Sequence, residues 1–445
     1  MDYEQRIELE VLKQIDKTRE VSDEEVLALI DEVILNAQYD GYKSVADKIR
    51  LRSNVFNSMR GLDVLSPLLE DENVTEIMIN GTDNIFIEKS GRIYKSELRF
   101  KSVDKLNNVI QTIVAGCNRV VNEASPIVDA RLSDGSRVNV VLKPVALNGP
   151  VMTIRKFPKE VMTMEKLIDI GSLDSDIAEV LSLFVKSGYN TVISGGTGTG
   201  KTTFLNALAS FIPKDERIIT IEDSAELQIR GVDNLVSLEV RNANVDGSRP
   251  ITMKDLIKSS LRMRPDRIIV GEVRGEEALD MLQALNTGHD GSISTAHANS
   301  AKDMLSRLET MVLMGVDMPM KALRAQIASA VEIIVHLGRM RDHSRRVVEI
   351  VEVLGMEDDE IMCRTLFKFQ EDNYDNEKEL LDDENDCESM CANEGTHVAV
   401  LGQLYKWHEL SQVSKLKQAG YYEEFKNIMN RIDTSDRVSV TPYYG

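Results

Sequence analysis

The 445-residue sequence has little cysteine, few aromatic residues and no long apolar run. Its four cysteines are too scattered to form the disulfide framework of a chain this long, so we expect reduced thiols. No stretch approaches the roughly 18 uninterrupted apolar residues that a membrane-spanning helix needs. The chain starts with the acidic segment MDYEQRIELE, whereas a signal peptide starts with basic residues followed by apolar ones. We therefore expect a cytosolic protein.

The charge balance is strongly acidic. Asp and Glu number 73 against 53 Lys and Arg, which gives a formal net charge of -20. This excess disfavours tight binding to nucleic acid, because that affinity comes largely from cations that neutralise phosphates. Half of the excess lies in residues 371–394, which contain eleven acids and one lysine and are expected to form a solvated loop. Cys387, Cys391 and His397, in or beside this segment, are too loosely spaced to predict a metal site.

The pattern of apolar residues divides the chain into four segments. Residues 1–60 predict a helical N-terminal extension, with a capping box at Ser22 and Glu25. Residues 61–157 predict an α+β domain of short strands, turns and one helix. Residues 158–355 contain short apolar runs that are each followed by a polar turn or a helix, which is typical of an α/β sheet. Residues 356–445 predict C-terminal strands and helices around the acidic loop.

One glycine-rich segment matches the phosphate-loop pattern G-x-x-x-x-G-K-[ST]. It follows an apolar strand and precedes a helical pattern, which is the context that the motif requires. Its glycines let backbone N–H groups surround a phosphate, and the following helix contributes its positive end. Lys201 is expected to bind the β- and γ-phosphates of ATP, and the Thr202 hydroxyl to bind Mg²⁺. The predicted nucleotide-binding residues here are Gly195, Gly196, Thr197, Gly198, Thr199, Gly200, Lys201, Thr202 and Thr203.

Two further apolar strands end in acidic residues. The strand RIIV leads through Gly271 to Glu272, where a P-loop sheet presents its catalytic carboxylate. The aspartate that often joins the magnesium shell from this strand is absent, since Gly271 precedes the glutamate. A carboxylate from elsewhere, or water alone, must complete the metal shell. The strand IITI leads to Glu222 and Asp223 at the same expected edge, and a solvated strand end is the alternative explanation for that pair.

His289 and His297 bring two of the six histidines within nine residues. Their separation does not match the i, i+4 spacing of a helical zinc motif, and no cysteine or third histidine is near. A histidine that hydrogen-bonds phosphate, or that orients the water-positioning glutamate, is the more economical interpretation.

Four segments together resemble one known family. In chain order they are GGTGTGKTT, ITIEDSAEL, LRMRPDRIIVGEVRGEEALDMLQALNTGH and GSISTAHANS. They resemble the phosphate loop, acidic box, aspartate-less Walker B strand and histidine box of the type II/IV secretion ATPase superfamily. Upstream, EIMINGTDNIFIEKSGRI, SPIVDARLSDGSRVNVV and MTIRKF resemble the tight-adherence (Flp/Tad) pilus assembly ATPases of the CpaF type. The resemblance covers residues 60 to 355 well and the ends poorly.

The resemblance implies a RecA-like P-loop ATPase domain that follows a PAS-like N-terminal domain. It implies that Glu272 is the catalytic glutamate. Glu222 and Asp223 would form the acidic box, with Glu222 acting in catalysis and both residues as metal ligands. His289 and His297 would form the histidine box, with His289 at the nucleotide and His297 in catalysis.

The resemblance also implies that arginines of the N-terminal domain reach the γ-phosphate. Arg131 and Arg137 occupy matching segments as nucleotide-binding residues, and Arg155 as a catalytic one. Each would stabilise charge on the transferred phosphoryl group. A surface or strand-edge arginine is the alternative explanation for each, because the sequence contains no information on the geometry of a cleft.

For partners, the resemblance implies a cytoplasmic homo-hexamer, peripheral to the inner face of the cell membrane, that works on inner-membrane platform proteins of a pilus or secretion system. The segment from Phe157 to Glu160, where Pro158 favours extended backbone, is the expected hinge between domains. Two alternatives remain: a conjugation or type IV secretion ATPase of the same superfamily, and a RecA-like nucleic-acid translocase. A DNA motor needs a basic ring lining, and neither terminal region offers such a cluster of Lys and Arg, so no direct nucleic-acid contact is expected.

Overall fold

The computed structural model describes residues 3–15, 21–36, 44–59, 61–89, 91–157, 161–241, 249–371 and 400–434. The chain divides into two units near residue 160. Three predictions fall outside the described residues. They are the solvated loop beyond Glu371, the expectation that Cys387, Cys391 and His397 do not form a metal site, and the hinge at residues 158–160.

Three helices begin the first unit. They are α1 (Tyr3–Gln14), α2 (Asp23–Asn36) and α3 (Val45–Met59). The predicted capping box is present at the start of α2: the Glu25 N–H donates to Ser22 Oγ, and the Ser22 N–H donates to Glu25 Oε2, both at 3.2 Å. Apolar side chains of the three helices, among them Val11, Ile30 and Val55, form a small core of their own.

The rest of the first unit is an antiparallel sheet with two helices. The elements are α4 (Ser66–Glu70), β1 (Val74–Asn80), β2 (Ile85–Lys89), β3 (Arg92–Lys95), α5 (Val103–Gly116), β4 (Ile127–Arg131), β5 (Arg137–Val141) and β6 (Val151–Arg155). The strand order is β3-β2-β1-β6-β5-β4. Helix α5 begins after Ser102, whose Oγ accepts a hydrogen bond from the Lys105 N–H at 3.1 Å. Its buried face, including Ile110, packs with strand residues such as Ile154 in one core.

The second unit is built on a nine-stranded sheet. Its strands are β7 (Thr191–Gly195), β8 (Ile218–Glu222), β9 (Leu235–Glu239), β10 (Arg267–Val273), β11 (Ile293–His297), β12 (Ile333–Arg339), β13 (Arg345–Glu357), β14 (Glu360–Glu371) and β15 (Gly402–Lys406). Its helices are α6 (Met164–Asp169), α7 (Ser175–Lys186), α8 (Lys201–Ala209), α9 (Met253–Ser260), α10 (Ala278–Leu285), α11 (Ala301–Gly315), α12 (Met320–Ala330), α13 (Ser414–Gln418) and α14 (Tyr422–Thr434).

The strand order is β15-β14-β13-β12-β7-β11-β10-β8-β9. The strands from β12 to β9 are parallel, and β13, β14 and β15 extend the sheet in antiparallel pairs. The predicted fold class, an α/β P-loop sheet of the RecA type, is confirmed. No helix among the described residues combines the length and the apolar composition needed to cross a bilayer.

The C-terminal segment continues this sheet. Residue 355, where the sequence suggests a boundary, lies inside β13. The buried carboxylate of Glu352 on that strand accepts hydrogen bonds from the N–H groups of Ser411, at 3.0 Å, and Gln412, at 2.7 Å. Phe425 of α14 packs against Phe184 of α7, with 6.1 Å between the ring centroids. Strands and helices on both sides of residue 355 therefore share one core.

Arg267 fixes the start of β10, the strand that carries the candidate catalytic glutamate. Its buried guanidinium pairs with Glu216, with 2.8 Å between Nη2 and Oε1. The Nη1 group donates to the carbonyl oxygens of Val185, at 2.6 Å, and Gly291, at 3.3 Å. One side chain thus connects the end of α7, the turn before β11 and the segment before β8.

We expect Arg267→Ala to lower the free energy of unfolding by about 3 kcal/mol, because it leaves the partly buried Glu216 and two carbonyl groups without their donor. Denaturant titration followed by circular dichroism measures this loss. The control is Arg262→Ala, an exposed arginine after α9, which should change stability by less than about 0.5 kcal/mol. A similar small loss in both variants would contradict the role given to Arg267.

Candidate functional site

The phosphate loop leaves the buried strand β7 and enters α8. Gly198 and Gly200 have φ values of 73° and 90°, in the left-handed region that favours glycine. A Cβ on Gly195 would lie 2.6 Å from the carbonyl oxygen of Leu337, so no larger residue fits where β12 passes the loop. The Thr199 hydroxyl donates to the Gly196 carbonyl at 2.9 Å and braces the turn. The local chain has the conformation that the motif predicts.

Lys201 lies beneath this loop and is only 7% exposed. Its Nζ donates to the carbonyl oxygens of Gly195, at 3.2 Å, and Gly196, at 3.0 Å. It also lies 3.1 Å from Nδ1 of His297. Burial lowers the pKa of Lys201, although the negative charge of Glu272 acts in the opposite direction. The lysine is thus held at the point where the loop turns into the helix.

Glu272 lies near the end of β10, and its carboxylate contacts the side chains of Arg274 and His297. Its Oε2 accepts a hydrogen bond from Nη2 of Arg274 at 2.7 Å, and its Oε1 lies 2.7 Å from Nε2 of His297. Although these two atoms are close, the buried Oε1 has no hydrogen-bond partner within the described residues. Burial raises the pKa of Glu272, but Arg274, His297 and Lys201 outweigh it, so the pKa is lowered and the group stays ionised.

His297 joins the lysine and the glutamate. It is the last residue of β11 and pairs in register with Gly195 at the end of β7. Burial lowers its pKa, which the charge of Glu272 opposes and the charges of Lys201 and Arg274 reinforce. Because the Lys201 ammonium can only donate, Nδ1 of His297 accepts its hydrogen bond, and this assigns the proton of a neutral imidazole to Nε2, which faces Glu272. The structure therefore brings three predicted residues into one continuous line of contacts.

Glu222 explains why a glycine precedes Glu272. A Cβ on Gly271 would lie 2.9 Å from Cγ of Glu222, which projects across from the neighbouring strand β8. Glu222 is 3% exposed, and its Oε1 accepts hydrogen bonds from the N–H groups of Glu226, at 2.8 Å, and Leu227, at 2.9 Å. The carboxylate thus shapes the chain after β8, and its predicted catalytic and metal roles stay predictions.

Arg274, which the sequence does not single out, bridges the two acidic strand ends. Besides its bond to Glu272, its Nη1 lies 3.6 Å from Oδ2 of the half-exposed Asp223. The sequence feature that could have identified Arg274 is its position two residues after Glu272, which places both side chains on one side of an extended chain.

Thr202 and Thr203 lie in the first turn of α8, and both are half-buried. In the parts of the chain that the structure describes, no three His, Cys, Asp or Glu side chains form a cluster that could hold a metal ion.

His289 does not join this group. It lies in the turn before β11, where its Nδ1 is 3.0 Å from the carbonyl oxygen of Ala284. The first residue of β11 pairs with Thr191, at the start of β7, whereas the phosphate loop follows the end of β7. A five-residue strand spans about 13 Å, so His289 and His297 lie at opposite edges of the sheet. The structure thus separates the two histidines of the expected histidine box, and the role of His289 at the nucleotide stays a prediction.

In the first unit, the three predicted arginines form a row. Arg131 lies directly opposite Arg137, and Arg137 lies directly opposite Arg155, across β4, β5 and β6. Residues directly opposite each other in antiparallel strands share a face, and like charges in that position are destabilising. Glu76 of β1 continues the row beside Arg155. Strands β4, β5 and β6 therefore bring three arginines together on one face of the sheet, and this concentration of positive charge is suited to binding an anion.

We expect Gly271→Ala to lower the free energy of unfolding by about 1 to 3 kcal/mol, because the added Cβ pushes against the buried Glu222 side chain. In a Glu222→Ala background the same change should cost less than about 0.5 kcal/mol, since the obstacle is gone. Denaturant titration of the four proteins in this cycle measures the coupling. Equal losses in the two backgrounds would show that Glu222 is not what requires a glycine at 271.

Comparison with known proteins identifies the family. The sequence profile described as type II/IV secretion system protein matches residues 59–425. A putative conjugal transfer protein of Mycobacterium tuberculosis (strain ATCC 25618 / H37Rv) is 35% identical over 298 residues, which cover 66% of this chain and 84% of that protein. The type IV secretion system protein PtlH of Bordetella pertussis (strain Tohama I) is 31% identical over 315 residues, which cover 65% of this chain and 93% of that one.

Solved structures give weaker likenesses. The VirB11 ATPase from the Brucella suis type IV secretion system, in complex with sulphate, is 28% identical with a TM-score of 0.35 and covers 64% of this chain and 94% of its own. The pilus retraction motor PilT with bound ADP is 17% identical with a TM-score of 0.48 and covers 84% of this chain and 90% of its own. On the strength of the profile match and the sequence relatives, the chain belongs to the type II/IV secretion system protein family.

Proposed function

We propose that this chain hydrolyses ATP at the sheet edge where the phosphate loop, His297 and Glu272 meet. The observation that carries the proposal is the line of contacts from Lys201 Nζ, through the His297 imidazole, to Glu272. A passive nucleotide binder needs only the phosphate loop, whereas hydrolysis also needs a group that positions water. Membership of the secretion family supports the same activity.

Each residue of the cluster has a distinct task in this proposal. Lys201 and the loop backbone bind the phosphates, and Thr202 holds Mg²⁺, which when bound neutralises charge on them. Glu272 orients a water molecule and accepts its proton, and its lowered pKa keeps the carboxylate ionised, as this role requires. His297 holds the carboxylate in position.

We propose further that the energy of hydrolysis drives a cytoplasmic ring of six copies that acts on membrane proteins of a secretion or pilus system. Two observations support this step. The profile match spans both units of the chain, and relatives at 31% to 35% identity bear names from conjugal transfer and type IV secretion. The net charge of -20 argues against a motor that grips nucleic acid directly.

The kind of system is open between two candidates. The upstream segments that resemble tight-adherence pilus ATPases favour pilus assembly. The names of the relatives favour conjugation or type IV secretion at least as strongly. Deletion of the gene in its host separates them: loss of surface pili with normal DNA transfer supports the first, and loss of transfer with normal pili supports the second.

We expect Glu272→Gln to bind ATP within about twofold of the parent protein and to hydrolyse it at least about a hundredfold more slowly, because the amide cannot accept the proton of water. Phosphate release and equilibrium nucleotide binding are the two measurements. The matched control is Glu276→Gln, a carboxylate about half exposed in the loop after the same strand, which should retain parental turnover. Near-parental turnover in Glu272→Gln would remove this residue from catalysis.

The proposal extends to the arginine row of the first unit. We expect Arg155→Ala to reduce ATP turnover at least about tenfold while changing nucleotide affinity much less, because a cation that stabilises developing charge acts mainly in the transition state. Steady-state kinetics separates kcat from KM. The control is Arg92→Ala, an exposed arginine on the edge strand β3 of the same sheet. Unchanged turnover in Arg155→Ala would leave the arginine with a structural role only.

A further inference from the structure

The hairpin formed by β12 and β13 reaches the phosphate loop from the C-terminal side of the sequence. Strand β12 runs parallel to β7 and pairs Leu337 with Gly195, the first residue of the loop. Two more residues, Gly338 and Arg339, continue β12 beyond that point. Arg345, the first residue of β13, lies directly opposite Arg339. The turn end of this hairpin, where residues 340–344 connect the two strands, therefore lies beside the loop.

The side chain of Arg345 lies along the loop itself. Its Cδ is 3.5 Å from the point where a Cβ on Gly200 would lie, at the turn into α8. The residue is exposed, and within the described parts of the chain no hydrogen bond or ion pair engages its guanidinium. Its neighbour across the hairpin is also an arginine, and like charges opposite each other destabilise a strand pair. The cationic group is thus next to the predicted phosphate position without a protein anion of its own.

The backbone that carries Arg345 is well anchored. Its carbonyl oxygen accepts a hydrogen bond from Ser172 Oγ at 2.8 Å, and two residues later the Val347 N–H donates to the Ser172 carbonyl at 2.9 Å. In the hairpin turn, Asp342 accepts hydrogen bonds from the N–H groups of Ser344, at 2.9 Å, and Val400, at 2.8 Å. These contacts fix the base of the side chain, so little backbone order has to be gained when a ligand binds.

We propose that Arg345 is a nucleotide-binding residue whose guanidinium contacts the phosphates held by the loop. This rests on the proposed function, since it assigns another residue to the same site. A guanidinium forms paired hydrogen bonds with phosphate oxygens and remains charged at any physiological pH.

The test is equilibrium binding of ADP to the full chain and three variants, with a fluorescent ADP analogue as the probe. Arg345→Ala should weaken binding about tenfold, which corresponds to about 1.4 kcal/mol. Arg345→Glu should weaken it further, because it replaces attraction by repulsion. The matched control is Arg341→Ala, in the turn of the same hairpin, whose guanidinium pairs with Glu371 at 2.5 Å and which should bind as the parent does.

The outcomes separate this proposal from the one on which it rests. Parental affinity in Arg345→Ala, or an equal loss in Arg345→Ala and Arg345→Glu, would overturn the role of Arg345 while ATP hydrolysis stands. An equal loss in Arg341→Ala would also overturn it, because the effect would then belong to the hairpin as a whole. Failure of the parent chain to bind ADP would instead refute the proposed function. Circular dichroism confirms that each variant is folded.

Discussion

The constraint on which the site depends is the alignment of neighbouring parallel strands. In the order β7, β11, β10 and β8, each strand ends at the same edge of the sheet. The residues found there are Gly195, His297, Glu272 and Glu222. Because parallel strands present their carboxyl ends together, residues that are far apart in sequence meet without any further folding device. The contacts around Lys201 follow from this alignment and from the helix that begins at the lysine.

Space at this edge of the sheet is limited, and the side chain at position 222 restricts the residue at position 271. Glu222 is buried beside β10 and binds two backbone N–H groups of its own following segment. Its side chain occupies the volume that a residue larger than glycine would need at position 271. The buried side chain of Glu222 therefore explains why position 271 is a glycine and not an aspartate. Glu222 itself supplies a carboxylate near the strand ends, but this carboxylate is hydrogen-bonded to backbone N–H groups.

The convergence of the phosphate loop, Glu272 and His297 could be predicted from the sequence, because each directly follows or ends an apolar run and the ends of parallel strands converge; their roles stay predictions. The separation of His289 from His297 could not be predicted from their closeness in sequence, because the whole of β11 lies between them. Arg274 was missed because an arginine beside acids also suits a solvated loop. That the strands after residue 355 join the same sheet was not predicted, because the sequence of a strand does not show which sheet edge it pairs with.

The contacts of the cluster connect the phosphate-loop lysine to the candidate catalytic glutamate. Lys201 donates to His297, and the same imidazole lies against Glu272, whose other oxygen is bound by Arg274. In the proposed function, phosphate that engages Lys201 would compete with Nδ1 of His297 for the lysine protons. The neutral histidine would then link the phosphate loop to the carboxylate that is proposed to activate water.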